Sequence, residues 1–283
     1  MPSAKGALSL DTRVELNQGP KMPILGLGVF QSEAGEETRS AVRHALDAGY
    51  RLIDTAAMYG NEADVGAAVR ASGIPREEVF ITTKLAYQHH GFESTLRAFE
   101  ESRNRLGLDY VDLYLVHWPK AAEPSLRRET WRAMEKLHAD GLCRAVGVSN
   151  YTIRHLEELR DSQLVPAVNQ VEFHPFAFQH ELLRYCTERG TRLEAYAPLT
   201  RNRRLDDPRI LEIARRARHT PAQVLIRWGL QHGLIEIPKS TRPERILENA
   251  AVFDFSLTAD DMQALDGLRD GWRAIAWDPE TIP

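Results

Sequence analysis

The chain has 283 residues, of which 43% are hydrophobic and 27% charged, and its formal net charge is −4. This composition excludes a disordered or fibrous protein and offers a nucleic acid no overall electrostatic attraction. We find neither a long apolar run nor an apolar segment behind Lys5, so we expect no membrane span, no secretory signal and a cytoplasmic location. Cys143 and Cys186 lack a short metal or redox spacing, so we expect free thiols.

Short aliphatic runs alternate with longer amphipathic stretches along the whole chain. Eight such runs can be counted, and most of them are nearly continuously apolar, as strands covered on both faces should be. Between them, apolar residues recur at a spacing of three and four, which is typical of amphipathic helices. We predict strands over residues 24–28, 51–54, 79–84, 111–117, 145–149, 167–171, 192–196 and 235–238.

Helix boundaries are also marked in the sequence. Polar residues that commonly cap helix N-termini precede several of the amphipathic stretches, and glycines follow several of them, where a chain can turn toward the next strand. The predicted N-terminal caps are Asn61, Asp207, Thr220 and Thr258, and the predicted terminal glycines are Gly49, Gly141, Gly190 and Gly233.

Eight strand-then-helix units fit either a closed parallel barrel or an open, doubly wound sheet that binds a dinucleotide. The open sheet needs Gly-x-Gly-x-x-Gly after its first strand, but Gly26-Leu27-Gly28 continues as Val-Phe-Gln. We therefore predict an α/β protein with a (β/α)8 TIM barrel, preceded by a β-hairpin around residues 17–19 and followed by a C-terminal helix and tail. No linker-like stretch divides the chain, so we expect one domain over residues 1–283.

Polar residues close three successive predicted strands. In TIM barrels the reactive groups lie at the C-terminal ends of the strands. Asp54, Lys84 and His117 close strands two, three and four, and Tyr59 follows Asp54 by five residues. Taken alone, each has a structural alternative. Asp54 could cap a loop, Tyr59 could be an aromatic residue at the rim, Lys84 could be a solvated charge, and His117 could bind a backbone group. Their joint placement favours a chemical role.

A tyrosine beside a lysine can deliver a proton to a carbonyl oxygen while hydride reaches the carbonyl carbon. A phenol has an ordinary pKa of about 10, and lowering it by two units needs about 2.7 kcal/mol. A lysine ammonium about 4 Å away supplies roughly 4 kcal/mol. We therefore expect Lys84 to make Tyr59 more acidic, Asp54 to keep Lys84 charged, and His117 to orient the carbonyl.

Four separated segments resemble those of the aldo-keto reductases, in the same order along the chain. They read GYRLIDTAAMYGNE over residues 49–62, TKL over 83–85, LVHWP over 115–119 and IPKS over 237–240. The resemblance implies a barrel that binds a nicotinamide cofactor without the Rossmann fingerprint. It also implies that Asp54, Tyr59, Lys84 and His117 are catalytic. Tyr59 would be the acid of carbonyl reduction and the base of alcohol oxidation.

Basic and hydroxyl residues follow the eighth predicted strand, where barrels often bind phosphate. Cations, hydroxyls and a helix N-terminus together suit a phosphate monoester. The cluster begins with Lys239, Ser240 and Thr241. The resemblance assigns Lys239, Ser240 and Arg245 to the 2′-phosphate of NADP and assigns Glu248 with Asn249 to the adenine. It therefore favours NADPH over NADH.

Further residues at strand ends match nicotinamide contacts of the family. By the resemblance, Ser149, Asn150 and Gln170 bind the carboxamide, and Tyr196 stacks on the ring. Pro198 and Leu199 occupy the family's positions after that tyrosine. The following residues 200–204, Thr-Arg-Asn-Arg-Arg, depart from the family because they lack the glycine expected after the leucine.

A carbonyl pocket should be mainly apolar. Phe30 and Trp118 match pocket positions of the family. Trp272 and Trp277 in the tail would either cover the pocket or, as we expect, pack on the barrel. His89 and His90 lack a third ligand at a usable spacing, so we predict no metal site.

The sequence thus predicts a monomeric, cytoplasmic, NADPH-dependent reductase of small aldehydes and ketones, with neither a nucleic acid nor a membrane as partner. Two alternatives remain. One is a barrel aldolase in which Lys84 forms a Schiff base. The other is a regulatory module of the same fold that binds the nucleotide with little turnover.

Overall fold

The N-terminal part of the protein forms a β-hairpin. The computed structural model describes residues 8–275 and 277–283. Strand β1 (Arg13–Glu15) pairs antiparallel with β2 (Lys21–Pro23). The connecting turn contains Gly19 with a φ of 104°, a value that favours glycine. The predicted hairpin is therefore confirmed. Buried Leu16 and Met22 pack with apolar strand residues inside the barrel, so the hairpin covers one of its ends.

Eight parallel strands follow and pair in chain order. Parallel bridges between Leu25 and Glu236 and between Gly28 and Lys239 join the last strand to the first, so the sheet closes on itself. The predicted (β/α)8 fold is confirmed. The strands are β3 (Leu27–Gly28), β4 (Leu52–Asp54), β5 (Phe80–Leu85), β6 (Val111–Val116), β7 (Cys143–Ser149), β8 (Val168–Glu172), β9 (Arg192–Tyr196) and β10 (Ile235–Glu236).

The seam between β3 and β10 differs from the prediction. Both strands are two residues long, shorter than the predicted ranges 24–28 and 235–238. The residues still pair across the seam, because the N–H of Gly26 donates to Glu236 O at 2.8 Å and that of Gly28 to Pro238 O at 3.3 Å. A side chain at Gly28 would approach the Ile237 carbonyl oxygen to 2.9 Å, so the close seam requires glycine there.

Helices connect the strands and cover the barrel. Three predicted N-terminal caps form as expected: the Asp207 side chain accepts from the Arg209 N–H, and Thr220 and Thr258 form capping boxes. The helices are α1 (Glu36–Asp47), α2 (Glu62–Ala71), α3 (Phe92–Leu106), α4 (Pro124–Ala139), α5 (Ile153–Glu157), α6 (His180–Glu188), α7 (Pro208–Ala217), α8 (Pro221–Gln231), α9 (Pro243–Ala250) and α10 (Ala259–Asp266).

Asn61 precedes α2, but the prediction that its side chain caps this helix is wrong. The side chain is buried and turns toward the barrel instead. Its Oδ1 accepts from Thr55 Oγ1 at 2.8 Å, and its Nδ2 donates to Val29 O at 3.0 Å. Asn61 therefore joins the chain after β3 to the chain after β4, which carries Tyr59.

The barrel interior is apolar toward the hairpin and polar at the opposite end. Leu52, Phe80, Leu113 and Ile235 belong to the buried cluster that contacts the hairpin. Because side chains alternate along a strand, the residue two positions after each of these also points inward. Asp54 and Thr82 lie at such positions, and Lys84 and His117 lie two residues further along β5 and β6, so polar side chains gather at the C-terminal ends of the strands.

Both cysteines are free and buried, as expected. Within the described residues, we find no helix whose length and apolar character would let it cross a membrane.

Candidate active site

The structure brings together the four residues that the strand ends predicted. Asp54 ends β4, Lys84 lies near the end of β5, and His117 follows β6. Tyr59 ends a single turn of 3-10 helix, Ala57–Tyr59, and Gly60 follows with a φ of 71°. This turn folds the chain back over the strand ends, so the phenol reaches the Lys84 ammonium.

Lys84 is fully buried, and each hydrogen of its ammonium has an acceptor. Nζ donates to Asp54 Oδ1 at 2.6 Å, to Thr55 O at 2.8 Å and to Tyr59 OH at 3.3 Å. Burial alone would lower the pKa of Lys84, but Asp54 and Tyr59 raise it above its ordinary value. Lys84 therefore stays charged. Since it donates to the phenol oxygen, the phenol O–H remains available to another acceptor.

The expected acidification of Tyr59 is not what the structure shows. Burial raises the pKa of Tyr59 to about 12, Lys84 opposes the rise, and Asp54 adds to it. The cost of taking a phenolate out of water, which the prediction from sequence did not include, outweighs the attraction of the ammonium. At neutral pH the phenol is thus protonated, which is the form that a general acid needs.

His117 lies next to Tyr59, with their ring centroids 5.6 Å apart and the rings edge to face. Burial, with a smaller effect of Lys84, lowers the pKa of His117 well below its ordinary value. The imidazole is therefore neutral and has one N–H to donate. Its Nδ1 is buried and finds no hydrogen-bond partner among the described residues.

Ser149, Asn150, Gln170 and Tyr196 form a connected set across β7, β8 and β9. Asn150 has a φ of 63°, and its Nδ2 donates to His117 O and to Ser149 Oγ, both at 3.0 Å. Tyr196 OH donates to Asn150 Oδ1 at 2.7 Å, and Ser149 Oγ donates to Gln170 O at 2.8 Å. Hydrogen bonds thus fix the positions of the predicted nicotinamide contacts.

A further residue at this end of the barrel, Glu194, was not predicted. Its Oε2 accepts from Gln170 Nε2 at 2.8 Å, and the same nitrogen donates to Asp54 Oδ2 at 2.8 Å. Burial raises the pKa of Glu194 to about 8, Asp54 adds to the rise, and Gln170 and Lys84 oppose it. A signal was present, because Glu194 interrupts an apolar strand at the position that alternation places on the same side as Tyr196.

A cavity of about 570 Å³ opens at this end of the barrel. Twelve of the predicted catalytic, cofactor and substrate residues line it. They are Phe30, Asp54, Tyr59, His117, Trp118, Ser149, Asn150, Gln170, Tyr196, Pro198, Leu199 and Lys239. Among the lining residues that were not predicted are Gln31, Met58, Arg201, Asn202 and Ile275.

The predicted phosphate and adenine residues are only partly brought to the cavity. Lys239 lines it, but Ser240, Thr241, Arg245, Glu248 and Asn249 do not. They lie on the following loop and on α9. Glu248 Oε1 accepts from Thr220 Oγ1 at 2.6 Å, which joins α9 to the start of α8, whereas Arg245 is exposed.

The loop after β9 lines the cavity and has an uncommon backbone conformation. Thr200, Arg201 and Asn202 have φ values of 52°, 51° and 61°, the left-handed region that a glycine would adopt without steric cost. Arg201 donates to Gln31 Oε1, and its guanidinium lies 5.9 Å from the Phe30 ring centroid. This contact joins the loop after β9 to the loop after β3.

The tail tryptophans have different positions. The Trp272 ring packs 5.6 Å from the ring of His174, in agreement with the expectation that the tail packs on the barrel. The Trp277 ring instead lies 5.2 Å from the ring of Trp118 and lines the cavity. The Glu172 carboxylate accepts from the backbone N–H groups of the intervening residues 274 and 275, so it holds the tail in place.

Known proteins resemble this chain in sequence and in fold. The model of the aldo/keto reductase family matches residues 24–270. The glyoxal reductase of Bacillus subtilis (strain 168) is 50% identical over 92% of this chain and 94% of its own. An aldo-keto reductase from a Medee basin deep-sea metagenome library has 42% identity and a TM-score of 0.91, over 96% of this chain and 100% of that one. The Bombyx mori aldo-keto reductase, solved in complex with NADP, has 36% identity and a TM-score of 0.89, over 98% of this chain and 99% of that one. The chain therefore belongs to the aldo/keto reductase family of oxidoreductases.

Proposed function

We propose that the protein is an NADPH-dependent reductase that converts small aldehydes and ketones to alcohols. One observation carries the proposal. Buried, charged Lys84 donates to Asp54 and to the Tyr59 phenol oxygen at the floor of a cavity, so the phenol O–H is left to protonate a carbonyl oxygen. Membership of an oxidoreductase family, with a glyoxal reductase at 50% identity, supports this reading.

The cavity residues fit a nicotinamide group. Ser149, Asn150 and Gln170 offer polar atoms along one wall, and the Tyr196 ring offers a flat surface on which the nicotinamide can stack. Pro198 and Leu199 would border the adjoining pyrophosphate. The NADP complex of the Bombyx mori relative supports NADP as the nucleotide.

The remainder of the nucleotide would leave the cavity beside Lys239. From there it would reach the 2′-phosphate contacts Ser240, Thr241 and Arg245 and the adenine contacts Glu248 and Asn249 on α9. Because Arg245 is exposed, it is free to form a charge-assisted hydrogen bond with a phosphate. This arrangement favours NADPH over NADH.

The chain's own groups would handle the proton. The chemistry that NADPH supplies when bound is the hydride that reduces the carbonyl carbon. Tyr59 donates its proton to the carbonyl oxygen, and Lys84, with Asp54 as its counterion, steadies the phenolate that results. The neutral His117 donates an N–H to the same oxygen and sets its direction. In alcohol oxidation the same proton returns to Tyr59.

The aromatic side of the cavity would receive the substrate. Phe30, Trp118 and Trp277 present mainly apolar surface next to Tyr59, which suits a small carbonyl compound with few polar groups. The likeness to glyoxal reductase makes glyoxal the first compound to test.

The structure argues against the aldolase alternative. A Schiff base requires a neutral, accessible amine. Lys84 is fully buried, uses all three hydrogens in hydrogen bonds and has a raised pKa. No observation favours a regulatory module. Measured turnover of NADPH with a carbonyl substrate would distinguish an enzyme from such a module.

Replacing Tyr59 tests the proposal. We expect the wild type to bind NADPH, measured by nucleotide fluorescence, and to oxidise it in the presence of glyoxal or another small carbonyl. Tyr59→Phe should lower kcat about 10²- to 10⁴-fold, because it removes the general acid. Its affinity for NADPH should stay near that of the wild type. Equal turnover by the two proteins would overturn the assignment of Tyr59.

A further inference from the structure

The two N–H groups of the Gln170 amide are both used below the cavity. Nε2 lies 2.8 Å from Asp54 Oδ2 and 2.8 Å from Glu194 Oε2. Asp54 is paired with the Lys84 ammonium, so it needs a donor at its second oxygen rather than another acceptor. That requirement places the nitrogen of the amide, and not its oxygen, against the carboxyl groups.

With Nε2 fixed in this way, Oε1 of Gln170 points away from the two carboxyl groups. Gln170 lines the cavity, and its Oε1 has no hydrogen bond to another described residue. Oε1 is therefore an acceptor available to a ligand. A carboxamide NH2 is a suitable donor for it.

We propose that Glu194 is a positioning residue, which accepts the second N–H of Gln170 and so directs the Gln170 carbonyl oxygen toward the bound nicotinamide carboxamide. The inference rests on the proposed function, because it assumes that a nicotinamide nucleotide occupies the cavity. Glu194 itself is buried in the wall and does not line the cavity.

The charge of the buried cluster gives Glu194 a second effect. The ammonium of Lys84 balances one carboxylate, and Asp54 contacts it directly. The charged neighbours that act on Glu194 are Asp54 on β4 and Lys84 on β5. Glu194 in turn raises the pKa of Glu236 on β10 and that of Tyr59. Glu194 Oε1 has no partner among the described residues, so only one hydrogen bond would stabilise a charge there.

Glu194 therefore holds its proton at neutral pH and loses it near pH 8. Its ionisation adds a negative charge beneath the nicotinamide contacts. An oxidised nicotinamide ring is cationic and a reduced ring is neutral, so the added charge favours NADP⁺. We expect the affinity for NADP⁺ relative to NADPH to rise as the pH passes about 8.

Glu236 provides a matched control. It is another fully buried glutamate with a raised pKa, and it lies on the neighbouring strand. Its carboxyl group packs against Gly229 of α8, so closely that a side chain at Gly229 would overlap it. It makes no hydrogen bond to Gln170. Glu236→Gln therefore removes a buried carboxyl without changing the Gln170 amide.

The experiment measures the Kd of NADPH and of NADP⁺ by fluorescence titration of the wild type, Glu194→Leu, Glu194→Gln and Glu236→Gln between about pH 6.5 and 9, a range that brackets the ionisation. Thermal unfolding checks that each variant is folded. Glu194→Leu should weaken NADPH binding about threefold to tenfold, the effect of losing one buried hydrogen bond. Glu194→Gln can still accept from Gln170, so its affinity at pH 7 should stay within about twofold of the wild type.

The pH series separates positioning from a merely structural role. The NADP⁺ preference above pH 8 should appear in the wild type and in Glu236→Gln and should vanish in Glu194→Gln. Wild-type affinity in Glu194→Leu, or an unchanged pH response in Glu194→Gln, would overturn the inference. If the wild type neither binds NADPH nor reduces a carbonyl, the proposed function itself fails. If the wild type does both, but Glu194→Leu binds NADPH as tightly as the wild type or Glu194→Gln keeps the pH response, only this inference fails.

Discussion

At the scale of single residues, burial determines which groups of the candidate active site are protonated at neutral pH. It keeps the Tyr59 phenol and the Glu194 carboxyl protonated, and it keeps the His117 imidazole neutral. Lys84 alone resists this trend, because Asp54 lies 2.6 Å from its ammonium. The free protein therefore holds on Tyr59, at neutral pH, the one proton that carbonyl reduction would consume.

The state of Tyr59 can be measured directly. Its pKa of about 12 means that the free protein should show no tyrosinate from this residue below about pH 10. The measurement is the difference in tyrosinate absorbance between the wild type and Tyr59→Phe during an alkaline titration. A difference signal that develops near pH 9 would show that Lys84 outweighs burial, as the sequence argument had supposed.

At the scale of elements, the loop after β9 closes one side of the cavity. Three successive residues in it have positive φ values although none is glycine, and such conformations persist where surrounding contacts enforce them. The hydrogen bond from Arg201 to Gln31 is one such contact. It joins two loops that border the proposed path of the nucleotide.

Removing this contact should speed the release of the nucleotide. We expect Arg201→Ala to raise the dissociation rate of NADPH several-fold, about the effect of losing one charge-assisted hydrogen bond. Stopped-flow fluorescence measures this rate. Arg203→Ala is the control, since Arg203 is exposed in the same loop and makes no side-chain hydrogen bond to a described residue. Equal rates in the two variants would mean that the loop closes without the help of Arg201.

At the scale of the whole molecule, the sequence predicted the architecture better than the site. The eight strands follow from apolar runs that any parallel barrel must bury, and seven predicted ranges have both ends within two residues of the observed strands. Because Asp54, Lys84 and His117 close three successive predicted strands, the sequence also placed them together at the C-terminal end of the barrel. The local sequence pattern could not predict how short β3 and β10 are, because these two strands pair with each other across more than 200 residues of sequence.

The remaining differences have the same physical origin. Asn61 has the sequence of a helix cap, but buried acceptors and donors from two loops compete for its side chain. Glu194 and the raised pKa of Tyr59 depend on desolvation, which spacing along a sequence does not report. Trp277 reaches the cavity through contacts between distant segments. The single domain, the monomeric state and the cytoplasmic location stay predictions.

Buried glutamates also affect the stability of the whole protein. Between pH 4.5, the ordinary pKa of the carboxyl, and about pH 8, folded Glu194 keeps a proton that the unfolded chain has released. The folded state thus binds more protons, and the free energy of unfolding falls as pH rises in this window, by at most about 1.4 kcal/mol per pH unit. Glu236 acts in the same direction.

Urea unfolding of the wild type and Glu194→Gln should reveal this linkage. The wild type should lose stability relative to the variant as the pH rises from about 5 to 8, because the variant has no proton to retain at this position. A constant difference between the two proteins across this range would show that Glu194 is already ionised in the folded state.

The central claim is that hydride passes from a nicotinamide, bound in the cavity at the C-terminal end of the barrel, to a carbonyl carbon beside Tyr59. The most direct test uses NADPH that carries deuterium on the reactive carbon of the nicotinamide, with both labelled epimers and glyoxal or another accepted carbonyl, followed by mass spectrometry of the alcohol. One epimer should place its deuterium on the former carbonyl carbon, and Tyr59→Phe should slow the appearance of this labelled alcohol. An alcohol that contains no deuterium from either epimer would contradict the account.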